Sequence, residues 1–449
     1  MDQRKITIAI ALAAVSFVAI GASMYAFQGQ DQGNRVFLIG WDGVDPRALD
    51  ELLAEGKMPN TAALIERGTY GRIQSPKPSF SPAIWTSVVT GVHRDVHGIR
   101  HFWKGKKGSD DQDLYTSRDR QVAAMWDITT AADKSTDVLG WWATWPAETI
   151  SGTLVSDRFA FNRMGVIANV LGDYEDSSGD VDGLYSPPED ARIIEPCRVA
   201  ATDAKAPILD RLRALDPSVS GISAEAVGAV ESFVAQDETN HCLTMALLER
   251  GVPEVMLAFY ENTDIAGHMG WGYRYPQEYR RRIRQPPPPE RAAAMRGIIE
   301  EAYVLQDQRL AEILKYADDR TTIIVMSDHG MHVGADHMGL QYTGQHTAAP
   351  DGIFIIAGAS IREGSILEGA TMYDVLPTML TLAGLPVAAD IDGRVLDEIL
   401  LSEEAGGPVR LPMVASHPRG PLADLPASGT EGDDLRSEQL KQMGYVEED

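Results

Sequence analysis

Six residues of this sequence have side chains of the types that bind divalent metal ions, and most of them follow a short apolar run. The runs cover residues 36–40, 255–260 and 322–326. Carboxylates and imidazoles together are typical zinc ligands, and they also suit manganese or iron. Three of each divide into two sites of three ligands, so the sequence predicts two divalent ions, with zinc favoured. The six residues are Asp42, Asp264, His268, Asp328, His329 and His346.

The spacing within this set also favours metal binding. Asp264 and His268 are four positions apart, which puts both side chains on one face of a helical turn. Each of the six has a structural explanation when taken alone, as a helix cap or a turn residue. Their recurrence after three apolar runs makes a shared site the better interpretation. Two ions about 4 Å apart can stabilise the attacking and leaving oxygens of an in-line displacement.

A candidate nucleophile lies in the stretch from Phe80 to Gly91. Ser81 precedes Pro82 and an apolar run, a pattern that predicts a helix start with Ser81 as its cap. The positive N-terminal end of a helix is a favourable place for an anion. A serine hydroxyl that also coordinates one of the two metals would have a lowered pKa and become an effective nucleophile. We therefore predict Ser81 as both nucleophile and metal ligand.

The elements that must position these residues indicate an α/β fold. The three apolar runs are typical of buried parallel strands, and open α/β sheets bind ligands at the carboxyl ends of their strands. Helical segments lie between them, so we expect a three-layer α/β/α fold with a central, mostly parallel sheet. Residues 34–410 would form the catalytic domain, including an inserted cap at about 150–252. Residues 411–449 would be a C-terminal tail.

The first 33 residues predict export. An apolar run over residues 6–27 is long enough to span a bilayer as one helix, and Arg4 and Lys5 before it would remain in the cytoplasm. We expect an uncleaved membrane anchor followed by a short tether at 28–33. A cleaved signal peptide is the alternative, because residues 21–23 are small. In both cases the catalytic domain lies in the periplasm or outside the cell, and cleavage would make it a secreted protein.

Charge and cysteine content narrow the possible partners. The formal net charge of −25 argues against a nucleic-acid partner, because phosphate backbones are bound by basic surfaces. The chain has two cysteines, Cys197 and Cys242. In an exported protein they would form one disulfide, and two buried thiols are the alternative.

Taken in order, the motifs resemble the alkaline phosphatase superfamily and, within it, the type I phosphodiesterase/nucleotide pyrophosphatase family. The resemblance covers about residues 36–400. It implies a phosphoric ester hydrolase with two zinc ions. The motifs that carry it are Gly40–Gly43, Ser81–Gly91, Thr263–His268, Ser327–Met331 and Gly344–His346.

The resemblance also implies a role for each residue. One zinc would be held by Asp264, His268 and His346. The other would be held by Asp42, Asp328 and His329, with Ser81 facing it. Ser81 would attack phosphorus and form a covalent phosphoseryl intermediate, which water then releases.

Two choices and one departure follow from the family pattern. The spacing to Gly91 selects Ser81 over Ser79 as nucleophile, and His346 fits the pattern better than His337. The family usually carries an Asn three residues after the nucleophile, where it contacts a phosphate oxygen, but this chain has Ile84. Arginines in the loop at 271–289 are a hypothetical replacement for that donor.

We therefore expect an exported metal-dependent phosphohydrolase that acts on a phosphate ester, with a phosphodiesterase favoured. A phosphomonoesterase or a phosphoryl transferase or phosphomutase would use the same ligands. A sulfatase is disfavoured because the residues around Ser81 lack the Cys/Ser-x-Pro-x-Arg pattern. An inactive binding scaffold is also disfavoured, because every expected ligand is present.

Overall fold

A nine-stranded mixed sheet forms the centre of the computed structural model, which describes residues 34–105, 113–160, 182–222, 224–282, 287–334 and 343–420. In chain order the strands are β1 (Arg35–Trp41), β2 (Gly68–Gln74), β3 (Trp103–Lys104), β4 (Asp113–Leu114), β5 (Thr136–Leu139), β6 (Gly152–Val155), β7 (Tyr185–Ser186), β8 (Val255–Tyr260), β9 (Thr321–Met326), β10 (His332–Val333), β11 (Gly344–Gln345), β12 (Gly352–Ala357) and β13 (Ser365–Thr371). The order across the main sheet is β13-β2-β12-β9-β1-β8-β5-β6-β7, while β3 pairs with β4 and β10 with β11.

Fourteen α-helices lie in the described residues. They are α1 (Pro46–Ala54), α2 (Pro59–Glu66), α3 (Ser81–Thr90), α4 (Arg94–His97), α5 (Met125–Ala131), α6 (Ala191–Ile194), α7 (Pro207–Arg213), α8 (Pro217–Ser220), α9 (Ala224–Arg250), α10 (Asn262–Arg274), α11 (Pro276–Arg282), α12 (Pro289–Met295), α13 (Ile298–Ile313) and α14 (Val375–Leu382).

The three predicted strands β1, β8 and β9 are adjacent at the middle of the sheet. β1 pairs in parallel with β8 on one side and with β9 on the other. Every residue of β8 and β9 is buried, as expected for strands covered on both faces. Because all three run in the same direction, their carboxyl ends meet at one edge, where the predicted ligands follow.

The sheet is less uniformly parallel than the apolar runs alone suggest. β12 is antiparallel to both of its neighbours, β2 and β9, and the edge strand β7 is antiparallel to β6. Crossovers that move in opposite directions across a sheet place their helices on opposite faces. The strand order contains both directions, since the chain moves one way from β2 to β5 and later the other way from β8 to β9. This order is compatible with the predicted three-layer arrangement.

The segment predicted as an inserted cap contributes to the sheet as well. Residues 150–252 contain the strands β6 and β7 and the long helix α9, which contacts β5 and β8. Part of this segment, residues 161–181, lies outside the described residues. The extent of a cap therefore stays a prediction, as does the boundary of the tail at residue 411.

Two predictions about export have different outcomes. Within the described residues, no helix is long and apolar enough to cross a membrane. The predicted N-terminal helix at 6–27 lies outside that part of the chain and stays a prediction. Cys197 and Cys242 form a disulfide, with their Cα atoms 5.3 Å apart. The disulfide joins the segment after α6 to helix α9.

Candidate active site

The predicted site residues converge on the carboxyl edge of the three central strands. Asp42 directly follows β1, and Asp328 and His329 follow β9 after one residue. β8 leads into α10, which carries Asp264 and His268 on successive turns. His346 comes from the segment after β11. All six side chains are buried, with at most 3% of any residue exposed.

Two groups of donor atoms form at this edge. Asp42, Asp328 and His329 each offer a ligand atom within 4.8 Å of the other two, and this group matches one predicted set. Asp264, His329 and His346 form a second group by the same measure. The second predicted ligand set differs from this group in one residue, because it contains His268 where the group contains His329. His268 lies beside this group, since its Nε2 is 3.4 Å from Asp264 Oδ2.

The orientations of the three histidines fit metal ligation. Nδ1 of His268 lies 3.0 Å from the carbonyl of Gly344, Nδ1 of His329 lies 3.1 Å from that of Gly330, and Nδ1 of His346 lies 3.0 Å from that of Ser79. A carbonyl oxygen only accepts hydrogen bonds, so Nδ1 carries the proton in each ring. Nε2 is therefore the ring nitrogen that each histidine presents to the donor groups, the arrangement typical of metal-binding histidines.

The carboxylates also fit a cationic partner. Burial, followed by the charges of Asp328 and Asp264, raises the pKa of Asp42 well above its ordinary value. Burial likewise raises the pKa of Asp328, against the opposing effect of His329. Burial would raise the pKa of Asp264, but His268 and the other imidazoles hold it below its ordinary value. Two bound cations would let all three carboxylates ionise together.

Burial has the opposite effect on the imidazole of His346. Burial and the neighbouring His329 lower the pKa of His346 well below its ordinary value. The two rings are stacked, with their centroids 4.0 Å apart. His346 therefore stays neutral, which is the form that binds a metal.

Ser81 lies against the first donor group. Its Oγ is 3.4 Å from both Asp42 Oδ1 and His329 Nε2, and the residue is 1% exposed. The structure differs from the predicted cap, because Ser81 is the first residue of α3 and Phe80 occupies the cap position without a side-chain capping bond. The hydroxyl faces the donor atoms, where a metal ligand or nucleophile would be needed.

Two hydrogen bonds to Asp42 and one close approach to Asp264 were not predicted from the sequence. Trp85, one turn after Ser81 on α3, donates from Nε1 to Asp42 Oδ2 at 2.9 Å. Thr263 donates from Oγ1 to the carbonyl of Asp42 at 2.5 Å, which ties β1 to α10. Gly43 has φ +66°, and a Cβ there would lie 2.6 Å from Asp264 Oδ1. The motifs contain all three residues, but spacing alone did not indicate what they contact.

The family pattern places an Asn three residues after the nucleophile as a donor to phosphate, and this chain lacks it. Among the described side chains of the loop at 271–289, none directly replaces that donor. Ile84 is 1% exposed and belongs to the core. Arg274 donates to Glu51 Oε2 at 2.7 Å and also contacts Tyr275. The hypothesis that this loop supplies an oxyanion donor therefore gains no support from Arg274.

A narrow cleft begins beside Ser81. Its cavity volume is about 10 Å³, and it is lined by Pro82, by the aromatic residues Phe102, Tyr115 and Trp142, and by Asp157 and Arg158. The Arg158 guanidinium lies 4.1 Å from the ring centroid of Trp145. The cleft thus places aromatic surface and one cationic side chain next to the start of α3.

The sequence matches one family over most of its length and two curated proteins over short stretches. Residues 36–344 match the family of type I phosphodiesterases/nucleotide pyrophosphatases, a range that ends two residues before His346. The 2,3-bisphosphoglycerate-independent phosphoglycerate mutases of Shewanella denitrificans and Shewanella amazonensis are 38% identical over 79 residues and 41% over 76. These matches cover 17% and 16% of this chain. The chain spans only 14% of the length of either mutase.

Two solved structures are similar to this chain at low sequence identity. Human ectonucleotide pyrophosphatase/phosphodiesterase 5 is 12% identical and covers 82% of this chain and 100% of its own, with a TM-score of 0.46. BT1596, a 2-O GAG sulfatase, is 13% identical and covers 82% of this chain and 74% of its own, with a TM-score of 0.49.

The sequence match carries the assignment. It covers well over half of the 449 residues and includes every predicted site residue except His346. This chain therefore belongs to the type I phosphodiesterase/nucleotide pyrophosphatase family, a family of phosphoric ester hydrolases.

Proposed function

We propose that this chain is an exported, metal-dependent phosphohydrolase, specifically a phosphodiesterase, that uses Ser81 as its nucleophile. The observation that carries the proposal is the position of Ser81 Oγ, 3.4 Å from both Asp42 Oδ1 and His329 Nε2. Nucleophile and donor groups lie at the edge of the sheet where α/β folds bind ligands.

The residues present fit two divalent ions. Asp42, Asp328, His329 and Ser81 would hold one ion, and Asp264, His268 and His346 the other. The mixed nitrogen and oxygen donors favour zinc, with manganese or iron as alternatives. When bound, the ions supply positive charge that lowers the pKa of the Ser81 hydroxyl and offsets the charge of the phosphate.

The chain's own residues account for the covalent steps. A bond forms between Ser81 Oγ and phosphorus while the bond from phosphorus to the leaving oxygen breaks. The Ser81 hydroxyl gives up its proton in this step, and the leaving oxygen takes one up and departs as an alcohol. Water then cleaves the bond from Ser81 Oγ to phosphorus, which restores the hydroxyl. The N-terminal position of Ser81 on α3 places the phosphate where helix N–H groups favour an anion.

Export of the catalytic domain is part of the proposal. The disulfide between Cys197 and Cys242 supports it, because disulfides form and persist in oxidising compartments outside the cytoplasm. The apolar run at 6–27 would act as a membrane anchor, with a cleaved signal peptide as the alternative.

A phosphoryl transferase or phosphomutase is the second candidate. The short matches to phosphoglycerate mutases favour it, and the first step on Ser81 would be the same. The two candidates differ in what accepts the phosphoryl group. A transferase would give a phosphorylated alcohol when an acceptor such as glycerol or a phosphoglycerate is supplied, whereas a hydrolase would give inorganic phosphate.

The proposal is tested by metal content and turnover of purified protein. We expect two divalent ions per chain and hydrolysis of bis-p-nitrophenyl phosphate faster than of p-nitrophenyl phosphate. Ser81→Ala should lose at least about 10³-fold in kcat, because it removes the nucleophile. The matched control is Ser79→Ala, which should keep most of the activity. Protein without bound metal, or Ser81→Ala with unchanged turnover, would refute the mechanism.

A further inference from the structure

Asp237 is a fully buried carboxylate on α9 that lies outside both donor groups. Its side chain accepts four hydrogen bonds. The backbone N–H of Glu261 donates to Oδ1 at 2.7 Å, and that of Asn262 donates to Oδ2 at 3.2 Å. The side chains of Gln306 and Arg309, both on α13, donate to Oδ2 at 2.8 and 2.9 Å.

The two backbone donors are the first N–H groups of α10. Groups at this position have no partner within their own helix and need one from elsewhere. Glu261 is the cap residue of α10, yet its own side chain makes no capping bond. Asp237 fills this role from a different helix, with its negative charge at the positive end of α10. Asp264 is the third residue of α10, so it follows directly on the backbone that Asp237 holds.

We infer that Asp237 is a positioning residue for Asp264 and His268, two of the three ligands proposed for the second ion. It holds the first turn of α10 between α9 and α13, so that Asp264 and His268 are in place before a cation binds. The inference rests on the proposed function, because the cation is what these two residues would be positioned for.

Stability alone is a weak explanation for this arrangement. Asp237 is 0% exposed and its partner Arg309 is 5% exposed, and apolar residues can replace a buried ion pair at little cost in stability. Four directional bonds from two elements instead fix where α10 begins and how it is rotated. Residues that support metal ligands in this way typically change metal affinity by about 10–100-fold when mutated.

The test compares Asp237→Asn with a matched control, Asp127→Asn, in the full chain. Asp127 is also buried, accepts from Arg120 Nη2 at 2.7 Å, and accepts from the N–H of Ala124 at the start of α5. Each substitution removes one buried charge beside an arginine and at a helix start. Helix α5 carries none of the proposed ligands, so only Asp237→Asn should disturb the site.

Two measurements are made on each folded variant. In metal-free protein, amide hydrogen exchange over residues 261–268 should be faster in Asp237→Asn than in wild type, and unchanged in Asp127→Asn. In chelator competition, Asp237→Asn should bind zinc about 10–100-fold more weakly at one site, and Asp127→Asn should bind as wild type does. Exchange and zinc affinity that both match wild type in Asp237→Asn would overturn the inference.

A milder variant covers the case in which Asp237→Asn does not fold. Gln306→Met removes one of the four hydrogen bonds and should weaken zinc binding about 2- to 10-fold, the effect of one hydrogen bond. Unchanged zinc affinity and unchanged exchange in this variant would overturn the inference. If wild-type protein binds no zinc, manganese or iron, the proposed function fails, but the exchange measurement still decides whether Asp237 positions α10.

Discussion

Histidine orientation gives the candidate site much of its definition at the scale of single residues. His268, His329 and His346 each have a backbone carbonyl against Nδ1, so each presents Nε2. Such second contacts fix the tautomer before a metal arrives. Main-chain carbonyls therefore prearrange the site, from distant segments for His268 and His346 and from the next residue for His329.

His346 provides the first residue-scale prediction, because the sequence left His337 as a competing ligand. His346 is 3% exposed and belongs to the second donor group, whereas His337 lies outside the described residues. We expect His346→Ala to lose one of two bound ions and His337→Ala to retain both, by elemental analysis of the folded proteins. Loss of an ion in His337→Ala alone would reverse the assignment.

The sequence identified ligand types well and supporting contacts poorly. Asp42, Asp328 and His329 could be predicted because acidic and imidazole side chains after buried strands have a recognisable pattern. The contact of Trp85 with Asp42 depends on the rotamer of a core side chain, and the link from Asp237 to α10 joins residues brought together only by folding. Neither leaves a periodic signal in the sequence.

At the scale of elements, three parallel strands and one helix assemble the site. β1, β8 and β9 could be predicted from their apolar runs, and their adjacency explains why the ligands meet. The antiparallel direction of β12 could not be predicted, because a buried strand has the same apolar run in either direction. The strands β6 and β7 are short and follow a change in composition. The sequence therefore predicts a cap in this region and not two further strands of the sheet.

Asp137 on β5 gives an element-scale prediction about pH. Burial, opposed by Arg250, raises the pKa of Asp137 to about 6, whereas an unfolded aspartate has a pKa of about 3.9. The folded state therefore binds more protons between these values. The contribution of Asp137 protonation to the free energy of unfolding is therefore complete below about pH 4, and it is lost as the pH rises through about 6.

We expect Asp137→Asn to remove this part of the pH dependence, on the order of 2 kcal/mol between pH 4 and 7. The measurement is urea unfolding of wild type and variant at both pH values, because the difference between the two proteins cancels the other titrating groups. Equal pH dependence in the two proteins would contradict the prediction.

At the scale of the whole molecule, the family assignment and the site agree on phosphoric ester chemistry. Because the net charge is −25, the protein as a whole repels a phosphate. Two bound cations would make the site itself positive and so attract the phosphate. We propose that substrate choice depends on the surroundings of Ser81, which include Ile84 and the cleft lined by Asp157 and Arg158. A single sequence carries little signal for such surfaces.

The most direct test of the central claim traps the intermediate on the full chain. Wild-type protein is quenched with acid during turnover of bis-p-nitrophenyl phosphate, and its peptides are analysed by mass spectrometry. The mechanism predicts a p-nitrophenylphosphoryl group on Ser81, no adduct on Ser79, and none in Ser81→Ala. Steady turnover by Ser81→Ala, with no adduct on Ser81 in the wild type, would contradict it.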